Sequence, residues 1–276
     1  MLSDDDLERF TAQLQQSRTR HAALPPFTQD HPQFDTASAY HVAQRVQQQR
    51  VAEGAVVAGR KIGFTNRELW PVYRVYEPIW GPMYEHSVIQ LRDNQGRCSL
   101  SGLFEPKIEP EIAFHFTSAP QPGESAATIM QRADVIAHAF EIVQSPYPGW
   151  RFNTADAVAA GSLHGLLLLG TPVPLAALGG GLLAAFENFR LSLSCDGVVR
   201  DRGRGSNVLG SPPKAVAHMV QAIAQRQHLG GVEPVRAGEW VTTGTLTAAF
   251  PVQPGQTWST RIDDLRLPGL SVEFCA

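Results

Sequence analysis

Hydrophobic positions change their spacing along this chain. Over residues 1–20, Leu2, Leu7, Phe10 and Leu14 recur at helical intervals behind Ser3, a capping residue, and predict an amphipathic helix. The proline-rich stretch ALPPFTQDHPQFD (23–35) predicts a connector. After Asp35, Tyr40, Val42, Val46 and Val51 are spaced to bury one stripe of a second helix, which Gly54 ends. Its Gln- and Arg-rich face is expected to be solvated. AVVAGRKIGFT (55–65) predicts a short apolar strand entering a glycine-punctuated turn.

From about residue 71 the pattern becomes short apolar runs separated by Gly and Pro: SVIQL, EIAFHF, FEIVQ, GLLLLG, WVTTGTL and the final LSVEF. SLSCDGVVR sets Asp-Gly between two alternating runs, a hairpin signal. Two further helices are expected, over 125–140 and over 212–228. In the second, Ser211 can cap, Pro212 and Pro213 suit the first turn, and Val216, Met219, Val220 and Ile223 form the buried stripe. There is no internal repeat, and the helices and strands do not alternate as in a barrel. The class is α+β, with a small helical N-terminal region (1–70) before a strand-rich body (71–276).

Composition narrows the field. The 276 residues are 43% hydrophobic, enough to bury a sizeable core. A formal charge of −3 gives no reason to expect nucleic acid or an anionic membrane as partner. Three cysteines without CxxC spacing argue against a disulfide framework and fit a reducing cytoplasm. The acidic N-terminus lacks the apolar stretch of a signal peptide, and GLLLLG is far short of the ~20 residues of a membrane span. These features predict a cytoplasmic protein.

The candidate chemistry gathers in FEPKIEPEIAFHF (104–116). In a strand, Glu109 and Glu111 point the same way, and Ile112, Phe114 and Phe116 point to the other face. Two carboxylates so close repel, and burial raises the cost. Either that face is wet, or a hard divalent cation such as Mg²⁺ or Mn²⁺ resolves the repulsion with oxygen ligands. Glu141 stands inside the apolar run AFEIVQS and needs a partner, an arginine or a metal. Lys61, next to Arg60, is either a surface cation or a desolvated lysine that moves protons or holds a substrate carboxylate. The histidines form no HxH or HExxH pattern, so zinc has little support. His164, where a glycine-rich turn enters a buried strand, suits a core or capping role as well as a catalytic one. The glycines of 179–181 read as a flexible turn, and GRGSN (203–207) is a weak anion-binding candidate.

In this order, the segments GRKIGFT, VYEPIWGPM, PKIEPEIAF, AFEIVQS, LGSPPKAVAHMV and VTTGTLTAAFPVQPGQTW resemble the fumarylacetoacetate hydrolase superfamily. The branch they are most similar to is the 2-keto-4-pentenoate hydratase and 4-oxalocrotonate decarboxylase group, over most of residues 35–276. The resemblance implies a fumarylacetoacetase-like mixed β-roll with flanking helices. It implies a Mg²⁺ or Mn²⁺ site on Glu109, Glu111 and Glu141, with Lys61 beside the substrate and Thr243 and Gly244 in a turn closing on the bound acid. Glu105 falls outside the motif and is expected on the surface. Arg60 and Ser162 are further candidates for contact with substrate. Homo-oligomers are usual in the family.

Two departures stand out. Hydratases of the group carry an aspartate where this chain has Ile79, an apolar choice closer to the decarboxylases. The group's Asp-Asn and serines are replaced in AVAAGSLHG by Ala160, Gly161, Leu163 and His164. The metal half of the site is therefore expected intact and the proton-transfer half rebuilt, with His164 the candidate acid or base. The expected activity is hydration of a small 2-hydroxy-2,4-dienoate or 2-keto-4-pentenoate-type acid in aromatic or related carbon catabolism. Decarboxylation of a 4-oxalocrotonate-like diacid comes second, and C–C bond hydrolysis of an acylpyruvate third. A non-catalytic partner of a sister enzyme is the reading from another class, which three inward carboxylates argue against.

Overall fold

Helix α1 (Asp4–Arg20) begins in a capping box, in which the Ser3 hydroxyl takes the Asp6 N–H and the Asp6 carboxylate takes the Ser3 N–H. This is a computed structural model, and it describes residues 2–227 and 233–276. Met1, the first residue of the expected helix, lies outside that range. One turn, α2 (Phe27–Asp30), leads to α3 (Thr36–Ala52), where the Asp35 carboxylate accepts the Ser38 N–H at 2.8 Å. Tyr40 and Val42 are buried as the stripe requires, but Val51, on the last turn, is exposed. The arginine face is not wholly solvated either, since Arg45 pairs with Asp4 and Glu8 of α1.

The later helices are α4 (Trp70–Tyr73), α5 (Ala126–Gln131), α6 (Thr154–Ala159), α7 (Leu182–Asn188) and α8 (Pro212–Arg226). The helix expected over 125–140 is thus only one and a half turns, and a long strand takes over from Ala133. The residues from Ile136 to Val143 are buried on both faces, so the run lacks the period-two signal that separates a strand from a buried helix. The expected end of α8, residue 228, lies outside the described residues. Ser211 occupies the cap position without a side-chain capping bond.

The strands are β1 (Val57–Gly63), β2 (Ile79–Tyr84), β3 (Val88–Gln90), β4 (Gln95–Ser99), β5 (Lys107–Phe116), β6 (Ala133–Val143), β7 (His164–Leu169), β8 (Val173–Pro174), β9 (Arg190–Cys195), β10 (Val198–Arg204), β11 (Trp240–Thr242), β12 (Phe250–Pro251), β13 (Thr257–Asp263) and β14 (Ser271–Cys275). A nine-stranded mixed sheet runs β2-β1-β11-β5-β6-β7-β3, with β12 on β5 and β8 on β6. A five-stranded sheet runs β10-β9-β13-β14-β4. The predicted hairpin joins β9 to β10, with Asp196 and Gly197 at φ 51° and 78°. This is an α+β architecture of curled sheet and helices.

The residues before and after position 70 share one sheet and one core. Strand β1 lies inside the large sheet, antiparallel to β2 and parallel to β11, because its apolar run completes that sheet. The helices before it share the same core, with Phe10, Leu14, Phe27 and Phe34 packed into one cluster with Phe114, Phe140 and Phe189.

Strands β5 and β6 divide their residues between two environments. Ile108, Ile112, Phe114, Ile136, Phe140 and Ile142 enter the main core. The opposite face continues from the glutamates through Ala113, Ala137 and Ala139 to Met83, Leu167 and Leu169. His138 ties the two sheets together: its Nδ1–H donates to the Glu111 carbonyl at 2.8 Å, and its Nε2 accepts from the Thr260 hydroxyl at 2.7 Å. Burial pushes this imidazole down to about 4, so it stays neutral in that role. No helix among the described residues is long and apolar enough to cross a membrane.

Candidate active site

Alternation along β5 puts Glu109 and Glu111 on one face, and antiparallel register sets Glu109 directly opposite Glu141 of β6. One carboxylate oxygen from each of Glu109, Glu111 and Glu141 lies within 4.8 Å of the others. Glu111 and Glu141 are fully buried, and Glu109 is half-buried.

Backbone and side chains hold two of the three in place. Glu111 Oε2 accepts the N–H groups of Thr243 at 3.1 Å and Gly244 at 2.7 Å. Its Oε1 is buried with no partner. Glu141 Oε1 accepts from Nδ1 of His164 at 2.9 Å, and its Oε2 lies 3.2 Å from Lys61 Nζ. That last contact is an ion pair off the line of a hydrogen bond, and the Lys61 ammonium instead donates to the Ser162 carbonyl at 3.0 Å.

Electrostatics follow from this crowding. Burial, then the Glu141 and Glu109 charges, push Glu111 well above the usual carboxylate range. Burial pushes Glu109 up to about 7 against the pull of Lys61. For Glu141, burial acts upward too, but the Lys61 ammonium and the His164 hydrogen bond outweigh it and hold the carboxyl below its ordinary value. Burial would lower Lys61, yet Glu141, Glu109 and Glu111 together raise it, so it stays charged. Three carboxylates against one lysine leave negative charge uncompensated. An oxygen-only donor set with an orphaned buried oxygen fits a hard divalent cation such as Mg²⁺ or Mn²⁺.

A narrow cleft of about 30 Å³ opens on Lys61, Glu109 and Ser162. Its remaining walls include Phe64, Leu69, Tyr73, Val143, Trp150 and Leu163. Glycines let the backbone close around it. A Cβ on Gly81 would lie 2.5 Å from the Gly161 carbonyl, so the loop carrying Ser162 can sit against β2 only over a glycine. Gly161, Ser162 and Leu163 are all left-handed, at φ 67°, 56° and 64°, the strain that turns the Ser162 carbonyl onto Lys61.

The structure brings together Lys61, Glu109, Glu111, Glu141, Ser162 and His164, and sets Thr243 and Gly244 against Glu111 through their N–H groups. The Thr243 hydroxyl is spent on the Ile112 carbonyl, and it is Thr245 that lines the cleft. Arg60 is not brought in. As the neighbour of Lys61 on a strand it points to the opposite face, where its guanidinium lies 3.3 Å from Glu239. His164 does not line the cleft. Its Nε2 lies 2.9 Å from the Ser87 hydroxyl, so both ring nitrogens are held by the protein. Ile79 is buried beside Lys61, for a Cβ on Gly63 would meet both side chains, at 3.7 and 3.3 Å. Glu105 is exposed as expected and also fastens the loop of Trp150, accepting from Gly149 N–H at 3.0 Å and, through its carbonyl, from the Trp150 indole at 3.0 Å.

Sequence reasoning missed Tyr73, Lys107 and Trp150. Lys107 shares the face of Glu109, and its Nζ lies 3.9 Å from the Trp150 ring centre and donates to the Tyr73 hydroxyl at 3.0 Å. The signal available was a lysine two residues before Glu109 in the same strand; nothing local tied it to aromatics 34 and 43 residues away.

No protein-family profile matches this chain. Among curated proteins it is similar to a 4-oxalocrotonate decarboxylase of Pseudomonas sp. (strain CF600), with 28% identity over 88% of this chain and 87% of the relative. It is also similar to a 2-keto-4-pentenoate hydratase of Paraburkholderia phymatum, with 29% identity over 96% and 97%. Among solved structures, the 4-oxalocrotonate decarboxylase of Pseudomonas putida G7, complexed with magnesium and adipate, superposes with TM-score 0.87 at 24% identity, covering 99% of each chain. The fumarylpyruvate hydrolase of Pseudomonas aeruginosa, in complex with Mn²⁺ and pyruvate, superposes with TM-score 0.56 at 16% identity, covering 80% of this chain and 90% of its own.

Proposed function

We propose that this chain, a homologue of 2-keto-4-pentenoate hydratases and 4-oxalocrotonate decarboxylases with the fold of fumarylacetoacetate hydrolase family structures, is a divalent-metal-dependent lyase that hydrates a small 2-hydroxy-2,4-dienoate acid. The observation that carries the reading is the cluster of Glu109, Glu111 and Glu141, of which Glu109 lines a cleft walled largely by apolar side chains.

These three glutamates would hold Mg²⁺ or Mn²⁺, which supplies Lewis-acid stabilisation of negative charge on the substrate's 2-oxygen. Lys61 has three N–H donors. One is spent on the Ser162 carbonyl and one faces Glu141, leaving a third for the substrate carboxylate. The Thr243 and Gly244 N–H groups hold the Glu111 carboxylate within the cluster, and His164 does the same for Glu141. Phe64, Leu69, Val143 and Leu163 receive the hydrocarbon chain and exclude water from one side.

No arginine lines this cleft among the described residues, so a second substrate carboxylate would go unpaired there. That favours a monoacid and hydration. Decarboxylation is the second reading, favoured by Ile79, which leaves Lys61 with an apolar neighbour where the hydratases carry an aspartate. A small acid substrate suits either. We place the enzyme in the cytoplasm, supported by three free cysteines, and read it as a homo-oligomer, supported by the family resemblance alone.

The experiment is to incubate the purified protein with Mg²⁺ or Mn²⁺ and matched mono- and diacid 2-hydroxydienoates, and to follow products by NMR. The expected product is a 4-hydroxy-2-oxo acid from the monoacid. Loss of CO₂ from the diacid alone would select decarboxylation. No turnover of any 2-oxo or 2-hydroxydienoate acid would return the chain to a non-catalytic role.

A further inference from the structure

We propose that the Tyr73 hydroxyl is the proton donor of this site, aimed into the cleft by the Lys107 ammonium. The proposal rests on the lyase reading above and adds to it a residue that the metal centre does not contain.

The hydrogen bond that Tyr73 accepts limits where its own proton can point. A lysine ammonium only donates, so at 3.0 Å the Tyr73 oxygen is the acceptor, and the phenolic hydrogen must point elsewhere. Among the described residues that hydroxyl has no other hydrogen-bond partner. Tyr73 lines the same cleft as Lys61 and Glu109, which leaves the phenolic hydrogen free to turn toward the substrate space. Burial, and then the Glu109 charge, push the hydroxyl up to about 12, which keeps it a donor rather than a base at neutral pH.

The aromatic surroundings fix it there. The Tyr73 ring packs on Phe64, Trp150 and Phe152, with ring centres 5.7, 6.0 and 6.2 Å away. Lys107 is held between the Tyr73 oxygen and the face of Trp150. The competing groups are less suited. Thr245 donates to the Thr247 carbonyl, His164 is taken up by Glu141 and Ser87, and the Ser162 alcohol is a far weaker acid than a phenol.

The step balances as a tautomerisation. The dienol loses its 2-hydroxyl proton to solvent, and the O–H bond of Tyr73 breaks as its proton forms a C–H bond with the electron pair of the conjugated chain. The Lys107 ammonium stabilises the phenolate, which takes a proton back from water. Each cycle moves one proton from oxygen to carbon and leaves Tyr73 as it began.

The test compares wild type, Tyr73→Phe, Lys107→Met and the double variant in steady-state kinetics, and in uptake of deuterium from D₂O into the carbon chain of a saturated 2-oxo acid with Mg²⁺. Tyr73→Phe is expected to lose about 10²-fold or more in kcat and exchange rate with KM little changed. Its melting temperature and its metal-induced rise should stay at the wild-type values. Lys107→Met is expected to lose less, and the double variant no more than Tyr73→Phe, since both act through one hydroxyl. An active wild type with an equally active Tyr73→Phe, or losses that multiply in the double variant, would overturn the role of Tyr73. A wild type that neither turns over nor exchanges any of these acids would overturn the lyase reading itself. If Tyr73→Phe melts early, Lys107→Met decides: unchanged kcat in that variant counts against the proposal.

Discussion

Glu109 and Glu141 stand directly opposite each other across β5 and β6, with Glu111 beside them and the Lys61 ammonium 3.2 Å from Glu141. A cross-strand pair of like charges is destabilising by itself. The sheet tolerates this one because protons or a cation take up the excess charge.

Metal should therefore stabilise the protein by mass action. At a hundred times Kd, Mg²⁺ or Mn²⁺ is expected to add about 2.7 kcal/mol, read as a higher Tm. Glu109→Ala and Glu111→Ala should each lose most of that rise and most of the activity. An undiminished rise in either variant would remove that residue from the ligand set.

Stability of the metal-free protein should fall as pH rises from about 4.5 to about 7. Glu109 titrates at about 7 in the fold against an ordinary 4.5, and Glu111 is raised as well, so across this window the native state holds protons that the unfolded chain has released. Glu141 runs the other way, its lowered value giving stability that is present above its ordinary range and is lost as pH falls through the folded value. Metal needs the carboxylates ionised, so its effect on Tm should grow over the same window. Thermal melts across that range with and without Mg²⁺ check this, and a metal effect independent of pH would contradict it.

His164→Ala separates two roles. If the imidazole positions Glu141, metal affinity should drop about 10- to 100-fold, as for other groups that orient a ligand. If it moves a substrate proton, kcat should fall while affinity holds. Calorimetric titration with Mn²⁺ beside kinetics tells the two apart.

Lys61→Met should make folding lean on metal. Removing a buried lysine from a carboxylate cluster leaves unpaired charge, at a cost of about 3–5 kcal/mol. The Tm loss is expected to be larger without Mg²⁺ than with it. A fall in kcat as well as kcat/KM would add proton transfer to its roles, whereas a rise in KM alone would mean carboxylate binding.

Gly244→Ala should destabilise strongly and release metal. Gly244 sits at φ +89°, and a Cβ there would lie 1.8 Å from the Thr65 hydroxyl. Backbone strain alone costs about 1–3 kcal/mol, and Glu111 would lose its 2.7 Å N–H partner. A variant with wild-type Tm and metal response would remove this turn from the support of Glu111.

Much of this protein was legible in its sequence because the deciding interactions are local. Strand alternation alone sets Glu109 and Glu111 on one face. Asp-Gly fixes the hairpin at Asp196 and Gly197, and Ser3 and Asp35 start the first two long helices. What stayed hidden depends on what lies across the fold. Residues 136–143 are buried on both sides, and only pairing with β5 and β7 makes them a strand that carries Glu141 to Glu109. Register, not composition, turns Lys61 into the cluster and Arg60 away from it. His164 carries the mark of an acid or base in the sequence, yet Glu141 and Ser87 claim both its nitrogens. Tyr73 carries no mark at all. Its hydroxyl gains a direction only where the chain folds Lys107 and Trp150 against it, since a hydrogen bond and a ring face join residues by distance in space and leave no period in the chain.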